Sequence, residues 1–577
     1  MRALGALGEL GELGELGELP ELSKLPALTK LTGLTKLSEL SALPKLSELP
    51  ALPELSELSA LSSQLSKSSQ SSQSSQDPQS SQLSQLSDTT HQLIFNILLS
   101  RIIMKKIIPA LGIAGLLALS ACGAKGTGAA DASDRDSTYT NVQHPEWSRN
   151  AVIYEVNLRQ YSDSGNITSF QRELPRLKEL GVDILWFMPI FPISEDGRKG
   201  TLGSYYAVKD YTDFNPEFGT IEQFKEVVKD AHSKGMKVIL DWVPNHSGRD
   251  NKWVKEHADW YEKDSLGNMM GVYDWTDVYV FDYSNPEMRK GMIDAMKFWL
   301  TDVDVDGFRC DVAMEVPTDF WDEARPQLEG AKKDIFMLAE ASKPELQKNG
   351  FDMGYNWPMK DLFSEIAATS GQYTFKDKEG KIKTFPVKHA AAIDSLLAVQ
   401  AKDYPKDTYL MNMVTNHDLN SWEGTEFDRL GNLTGAFAVL SYTLPGMPLI
   451  YTGQETGMNR AFEFFEKDKA PQWEPRNDYF TFYQTLNGMK HSQKALAAGE
   501  EGGEMVKYAA GSDDLYVFSR EKDGSKVVVL TNLGKEKQAV NFSDKTPDVK
   551  GLVNLFTGAE AALPSELQPG EYLVFVK

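Results

Sequence analysis

From Trp147 onward, short apolar runs rich in β-branched and aromatic residues alternate with longer stretches whose apolar positions recur every three or four residues. Runs of the first kind suit strands buried on both faces, and stretches of the second suit helices covering a sheet. Strands are predicted at Val152–Val156, Asp183–Met188, Lys237–Trp242, Val305–Cys310, Ile335–Ala339, Phe351–Tyr355, Tyr409–Val414 and Pro448–Tyr451. Helices fall between them, at Ser169–Leu180, Ile221–Lys234, Pro286–Leu300, Asp319–Leu328, Pro358–Ala368 and Asp428–Tyr442. Strands that each lead into a helix predict an α/β fold, a (β/α)8 TIM barrel over residues 147–497. Two connections exceed what a barrel needs, Ser247–Asn285 and Ser370–Lys388, and the first predicts a small insert over the cleft after strand 3. After a helix ending near Gln493 the period becomes two, as in LYVFSR, KVVVLTNL, GLVNLF and EYLVFV. That alternation predicts a C-terminal antiparallel β-sandwich over residues 498–577, with no reactive cluster and a supporting role.

The amino-terminal part has a different pattern. Residues 1–88 are imperfect repeats such as GELGELGEL and SSQSSQSSQ, and no Phe, Trp or Tyr precedes Phe95. So little apolar surface does not offset the entropy of ordering, so residues 1–103 are expected to be disordered or to lie outside the natural product. The triplet Leu spacing with scattered Pro and Gly matches neither a heptad nor a solenoid repeat. From Met104 the layout becomes MKKIIPALGIAGLLALSAC, a Lys pair, an apolar run and small residues, which reads as a signal peptide over 104–122. Its apolar run is too short to span a bilayer as a mature helix. LSAC followed by Gly123 resembles the lipobox of bacterial lipoproteins. That resemblance implies acylation of Cys122 and a bacterial cell-envelope location, periplasmic or at the surface, with the membrane met only through the lipid. Residues 123–146 are small and polar, as a tether requires.

With Cys122 modified, Cys310 has no partner for an intramolecular disulfide, so packing must hold the fold. The net charge of −22 repels phosphates and excludes nucleic acid as a partner.

Charged side chains cluster at the predicted carboxyl ends of several strands. The third closes with DWVPNH, giving Asp241, Asn245 and His246; the fourth with GFRCDVA, giving Arg309 and Asp311. The fifth closes with LAE, giving Glu340, and the seventh with TNHD, giving His417 and Asp418. Any one of these acids alone reads as a cap or turn residue. Together, at one end of a barrel, they are costly to bury unless paired or used. Glycoside hydrolysis with retention needs two carboxyls about 5 Å apart, one to attack the anomeric carbon and one to protonate the leaving oxygen. Strands four and five can supply them as Asp311 and Glu340. Arg309, two residues before Asp311, projects from the same side of its strand and is expected to favour the ionised nucleophile. Glu340 is expected to hold its proton, Asp418 to stabilise an oxocarbenium-like transition state, and His246 and His417 to donate to sugar hydroxyls. Asp241 and Arg309 are placed with these sugar-binding residues.

DWVPNH, GFRCDVA, LAE and TNHD resemble the four signature regions of the α-amylase family, glycoside hydrolase family 13, and the likeness extends from Trp147 to Lys577, LPGMPLIYTGQE included. The resemblance implies Asp311 as nucleophile, Glu340 as acid and base, and Asp418 as third carboxylate. It also implies a Tyr stacked on the reacting sugar, at Tyr206 within GSYYAVKDYTDF, with Asp210 behind it and Tyr205 as a competitor for the same place. Calcium-dependent members commonly carry a Lys-His pair after the nucleophile, where this chain has Met314 and Glu315. Asn245 alone does not make a calcium site, so no metal or cofactor is expected to be required. The expected function is an α-glucan hydrolase acting on starch or maltodextrins. A glucosyl transferase or sugar isomerase would use the same residues, and a non-catalytic glucan-binding protein would need no buried nucleophile.

Overall fold

The computed structural model describes residues 138–369 and 386–577. The repeats, the signal-like segment, Cys122 and residues 123–137 of the tether lie outside the described residues, as do residues 370–385 of the second long connection.

Parallel strands form the centre. In chain order β1 (Ile153–Val156), β2 (Ile184–Phe187) and β3 (Lys237–Trp242) come first. The excursion after β3 carries an antiparallel pair, β4 (His246–Gly248) and β5 (Val278–Val280). The barrel then resumes with β6 (Gly307–Cys310), β7 (Phe336–Ala339), β8 (Met353–Tyr355), β9 (Tyr409–Asn412) and β10 (Met447–Tyr451). They close in the order β1-β10-β9-β8-β7-β6-β3-β2, so the predicted (β/α)8 barrel and the insert after its third strand are both present.

Side chains alternate along each strand, and this parity sorts the core. Ile153, Ile184, Ile239, Phe336, Met353, Tyr409 and Met447 face inward and pack into one cluster. Tyr154, Leu185, Val238, Leu240, Phe308 and Met337 face outward into a larger cluster beneath the helices. The next inward position on β1 is Glu155, on β3 Asp241 and on β6 Arg309, so the polar floor of the barrel mouth is simply the top layer of the interior.

Two predicted helices are broken in the structure. Ser169–Leu180 is Ile167–Gln171 followed by Leu174–Leu180, because Pro175 has no amide to continue the first helix but fits the start of the second. Asp428–Tyr442 is Glu426–Leu430 and Thr434–Thr443, interrupted at Gly431, whose φ is 56°. Elsewhere caps set the ends: Thr220 and Gln223 form a capping box for Ile221–Ser233, and the Asn285 side chain caps Pro286–Thr301.

The carboxyl-terminal strands are β11 (Glu504–Tyr508), β12 (Leu515–Lys522), β13 (Ser525–Asn532), β14 (Gln538–Ala539), β15 (Val553–Asn554), β16 (Glu566–Leu567) and β17 (Tyr572–Val576). Five of them form an antiparallel sheet, β11-β12-β13-β17-β15, and β14 pairs with β16 in a second, small sheet. Tyr516, Phe518, Val527, Val529 and Val574 join the outer cluster of the barrel. Val517, Val528, Leu530 and Phe575, on the opposite face, pack with Leu552 and Leu567. Tyr516 also donates to Asp394 at 2.7 Å, on the barrel helix Ala392–Asp403.

Gly307 is the tightest point of the barrel. Its φ is 147°, and a Cβ there would lie 1.9 Å from the carbonyl oxygen of Phe336 on β7. Gly307→Ala should therefore force β6 and β7 apart and lower stability by about 3 kcal/mol, read as an earlier urea midpoint. A midpoint equal to that of the parent protein would show that the close approach is not needed.

Candidate active site

A single guanidinium organises the barrel mouth. Arg309, fully buried at the inward position of β6, donates from Nη1 to Asp241 Oδ1 at 2.8 Å and to Asp311 Oδ1 at 3.0 Å. Its Nε donates to Tyr355 Oη at 3.2 Å. Nη2 faces Glu340 Oε2 at 3.0 Å as a charge contact without hydrogen-bond alignment. The rings of Trp186 and Tyr355 surround the cation at 5.1 and 5.5 Å. Burial opposes the charge, but Asp241 and Glu340 outweigh it and hold Arg309 well above its ordinary value, so the cation is permanent.

Asp311 and Glu340 stand at the ends of the adjacent strands β6 and β7. Because both meet one planar guanidinium, their facing oxygens lie within about 8 Å of each other, a range in which paired carboxyls can act on one glycosidic bond. The amide of Val312 donates to Glu340 Oε2 at 2.7 Å. Burial, and then the facing Glu340 carboxylate, push Asp311 well above the usual carboxylate range, with Arg309 opposing. Arg309 does favour the ionised form, as expected, but desolvation is the larger effect.

A second chain of contacts crosses the mouth. Glu155, inward on β1, accepts a hydrogen bond from His417 Nδ1. His417 Nε2 lies 2.8 Å from Tyr206 Oη, and Tyr206 donates to Asp241 Oδ2 at 3.1 Å. Burial works against a charged His417, but Asp418 and Glu155 overcome it and push it up to about 9. With both ring nitrogens protonated, His417 donates to Glu155 and to Tyr206, and Tyr206 passes its own proton toward Asp241. Asp418 lies 3.4 Å from His417 Nε2 and keeps 36% of its side chain exposed, so it opens into the cleft.

The structure separates the two adjacent tyrosines. Tyr205 is buried, donates to Asn157 at 3.0 Å and lies under Arg159, whereas Tyr206 joins the carboxyl cluster. Asp241, expected among the residues that touch sugar, is fully buried, with its oxygens engaged by Arg309, Trp186 and Tyr206. It braces the floor and, through burial opposed by Arg309, is raised to about 6. The His246 ring faces the Asn245 side chain at 3.3 Å and packs edge-on to Trp275. Burial holds it down to about 3, so it stays neutral. Asp210 pairs with Lys252 at 2.7 Å, on the excursion, and takes no part in the carboxyl cluster.

Asn245 turns its amide to His246, Glu315 accepts from Tyr273 at 2.8 Å, and Met314 offers only a thioether. Among the described residues no group of three or more His, Cys, Asp or Glu is arranged to hold a metal ion.

Sequence reasoning missed Glu155, Trp186 and Tyr355. Glu155 carried a signal, being the one carboxylate in a strand reading IYEV, at a position with inward parity. The two aromatics carried none, since a ring in a buried strand reads as core.

The alpha amylase catalytic-domain model matches residues 132–275 and 272–475. Alpha-amylase 3 of Dictyoglomus thermophilum is 24% identical over 481 residues, covering 71% of this chain and 89% of that protein. Neopullulanase 2 of Thermoactinomyces vulgaris is 28% identical over 473 residues, covering 72% and 75%. Among solved structures, a maltogenic alpha-amylase of Thermotoga neapolitana superposes with a TM-score of 0.64 at 28% identity, covering 74% of this chain and 98% of that one.

The His417 contact has a pH signature. Its folded value of about 9 exceeds its ordinary 6.5, so the stability it contributes is complete below 6.5 and fades as pH rises toward 9. Glu155→Gln should therefore be less stable than the parent protein near pH 6, and that gap should narrow by pH 9 in thermal melts. A gap independent of pH would refute the charge coupling.

Proposed function

The chain belongs to the α-amylase family of glycoside hydrolases, and on that basis we propose that it cleaves α-glucosidic bonds of starch or maltodextrins with retention, through a covalent glycosyl-enzyme intermediate. The observation that carries this reading is the shared grip of Arg309 on carboxyls from two neighbouring strands. Asp311 Oδ1 is taken by Arg309, which leaves Oδ2 to attack the anomeric carbon. Glu340 Oε2 faces an amide proton and a guanidinium, so its acidic proton belongs on Oε1, toward the glycosidic oxygen. In the first step Oδ2 bonds to the sugar while that proton passes to the departing chain. In the second, Glu340 takes a proton from water, the hydroxide oxygen bonds to the anomeric carbon, and Asp311 is released. Asp418 offers negative charge to the oxocarbenium-like transition state, and Tyr206, fixed by His417 and Asp241, supplies a ring for the reacting sugar.

Asp311→Asn should lower kcat on maltodextrin by roughly four orders of magnitude, with the fold intact by circular dichroism. Near-normal reducing-sugar release from that variant would overturn the mechanism. The parent protein should give only shorter products from maltoheptaose; longer oligosaccharides would make it a transferase instead. Activity should also survive exhaustive chelation, since Met314 and Glu315 stand where calcium-dependent members carry a Lys-His pair. Loss on chelation with recovery in added calcium would show that a cation is required.

A further inference from the structure

A row of aromatic rings continues from Tyr206 along the rim. Tyr206 lies parallel to Phe464, with 10° between planes and 6.4 Å between centroids. Phe464 meets Trp422 at 5.3 Å, and Trp422 meets Phe465 at 6.0 Å. Trp422 sits on the turn Leu419–Glu423 that follows Asp418, and 56% of its surface is exposed. An indole held in water forfeits the free energy that covering it would release.

The backbone beneath these rings is fixed by buried polar groups. Asn420 donates to the Arg460 carbonyl at 3.2 Å and accepts from the Phe462 amide at 2.9 Å, tying the loop after β9 to the loop that carries Phe464 and Phe465. Arg159 donates to the carbonyls of Phe464 and Gly203, each at 3.1 Å. Gln160 donates to those of Glu463 and Glu466 at 3.0 and 2.7 Å. On the other flank, Glu423 pairs with Lys360 at 3.6 Å. Groups that spend their hydrogen bonds holding a turn preorganise whatever the turn displays, and this one displays aromatic faces continuous with the ring beside the reacting sugar.

We propose that Trp422, backed by Phe464 and Phe465, is a glucosyl-binding platform that extends the cleft beyond the reacting sugar and makes the enzyme favour longer α-glucan chains. The proposal rests on the α-glucan reading of the Asp311–Glu340 pocket. Stacking a pyranose face on the exposed indole buries apolar surface on both sides without reshaping the loop, because the loop is already held.

The test compares kcat/KM on maltoheptaose and maltotriose for the full chain and for its Trp422→Ala and Trp422→Phe variants. For Trp422→Ala the ratio of the long to the short substrate should fall about tenfold, through KM for maltoheptaose, while Trp422→Phe retains most of it. Calorimetry gives a readout without turnover: in the Asp311→Asn background, Trp422→Ala should weaken maltoheptaose binding about tenfold. If the parent protein cleaves both substrates and Trp422→Ala leaves the ratio and the Kd within twofold, the platform is refuted and the pocket assignment stands. If the parent cleaves no α-glucan, the pocket assignment fails, and the platform with it.

Discussion

Everything at the barrel mouth depends on keeping one guanidinium out of water. Arg309 is enclosed by acids from β3, β6 and β7 and by aromatic rings, and the acids would be left as uncompensated buried charges without it. Removing one member of such a buried set typically costs about 3–5 kcal/mol, because the remaining charges are left uncompensated. The same enclosure gives the acids their different situations. Asp241 is consumed in bracing, Asp311 keeps one oxygen free, and Glu340 is oriented by the Val312 amide. The arrangement is thus both a structural clamp and the means by which chemically similar carboxyls acquire separate tasks.

Much of this was legible in the chain. The strand ends DWVPNH, GFRCDVA, LAE and TNHD located the mouth, and parity along β6 placed Arg309 with Asp311. Where sequence reading fell short, the reason is spatial. Nothing in GSYYAV distinguishes Tyr205 from Tyr206, because the choice depends on which ring Arg159 covers and which His417 reaches. The charge on Asp311 could not be read from its neighbour alone, since burial is a property of the whole mouth.

The loops repeat this division between local and distant information. The breaks at Pro175 and Gly431 have local causes that a sequence displays. The aromatic row does not, since Tyr206, Trp422 and Phe464 come from separate loops, tied in place by Asn420, Arg159 and Gln160 bonding to distant carbonyls.

The five-stranded sheet at the carboxyl terminus shares its inner face with the outer cluster of the barrel, so the two have one continuous apolar interior. Neither can be trimmed away without exposing apolar surface of the other to water. A sheet that carries no catalytic group is in this way bound up with the shape of a cleft it does not line.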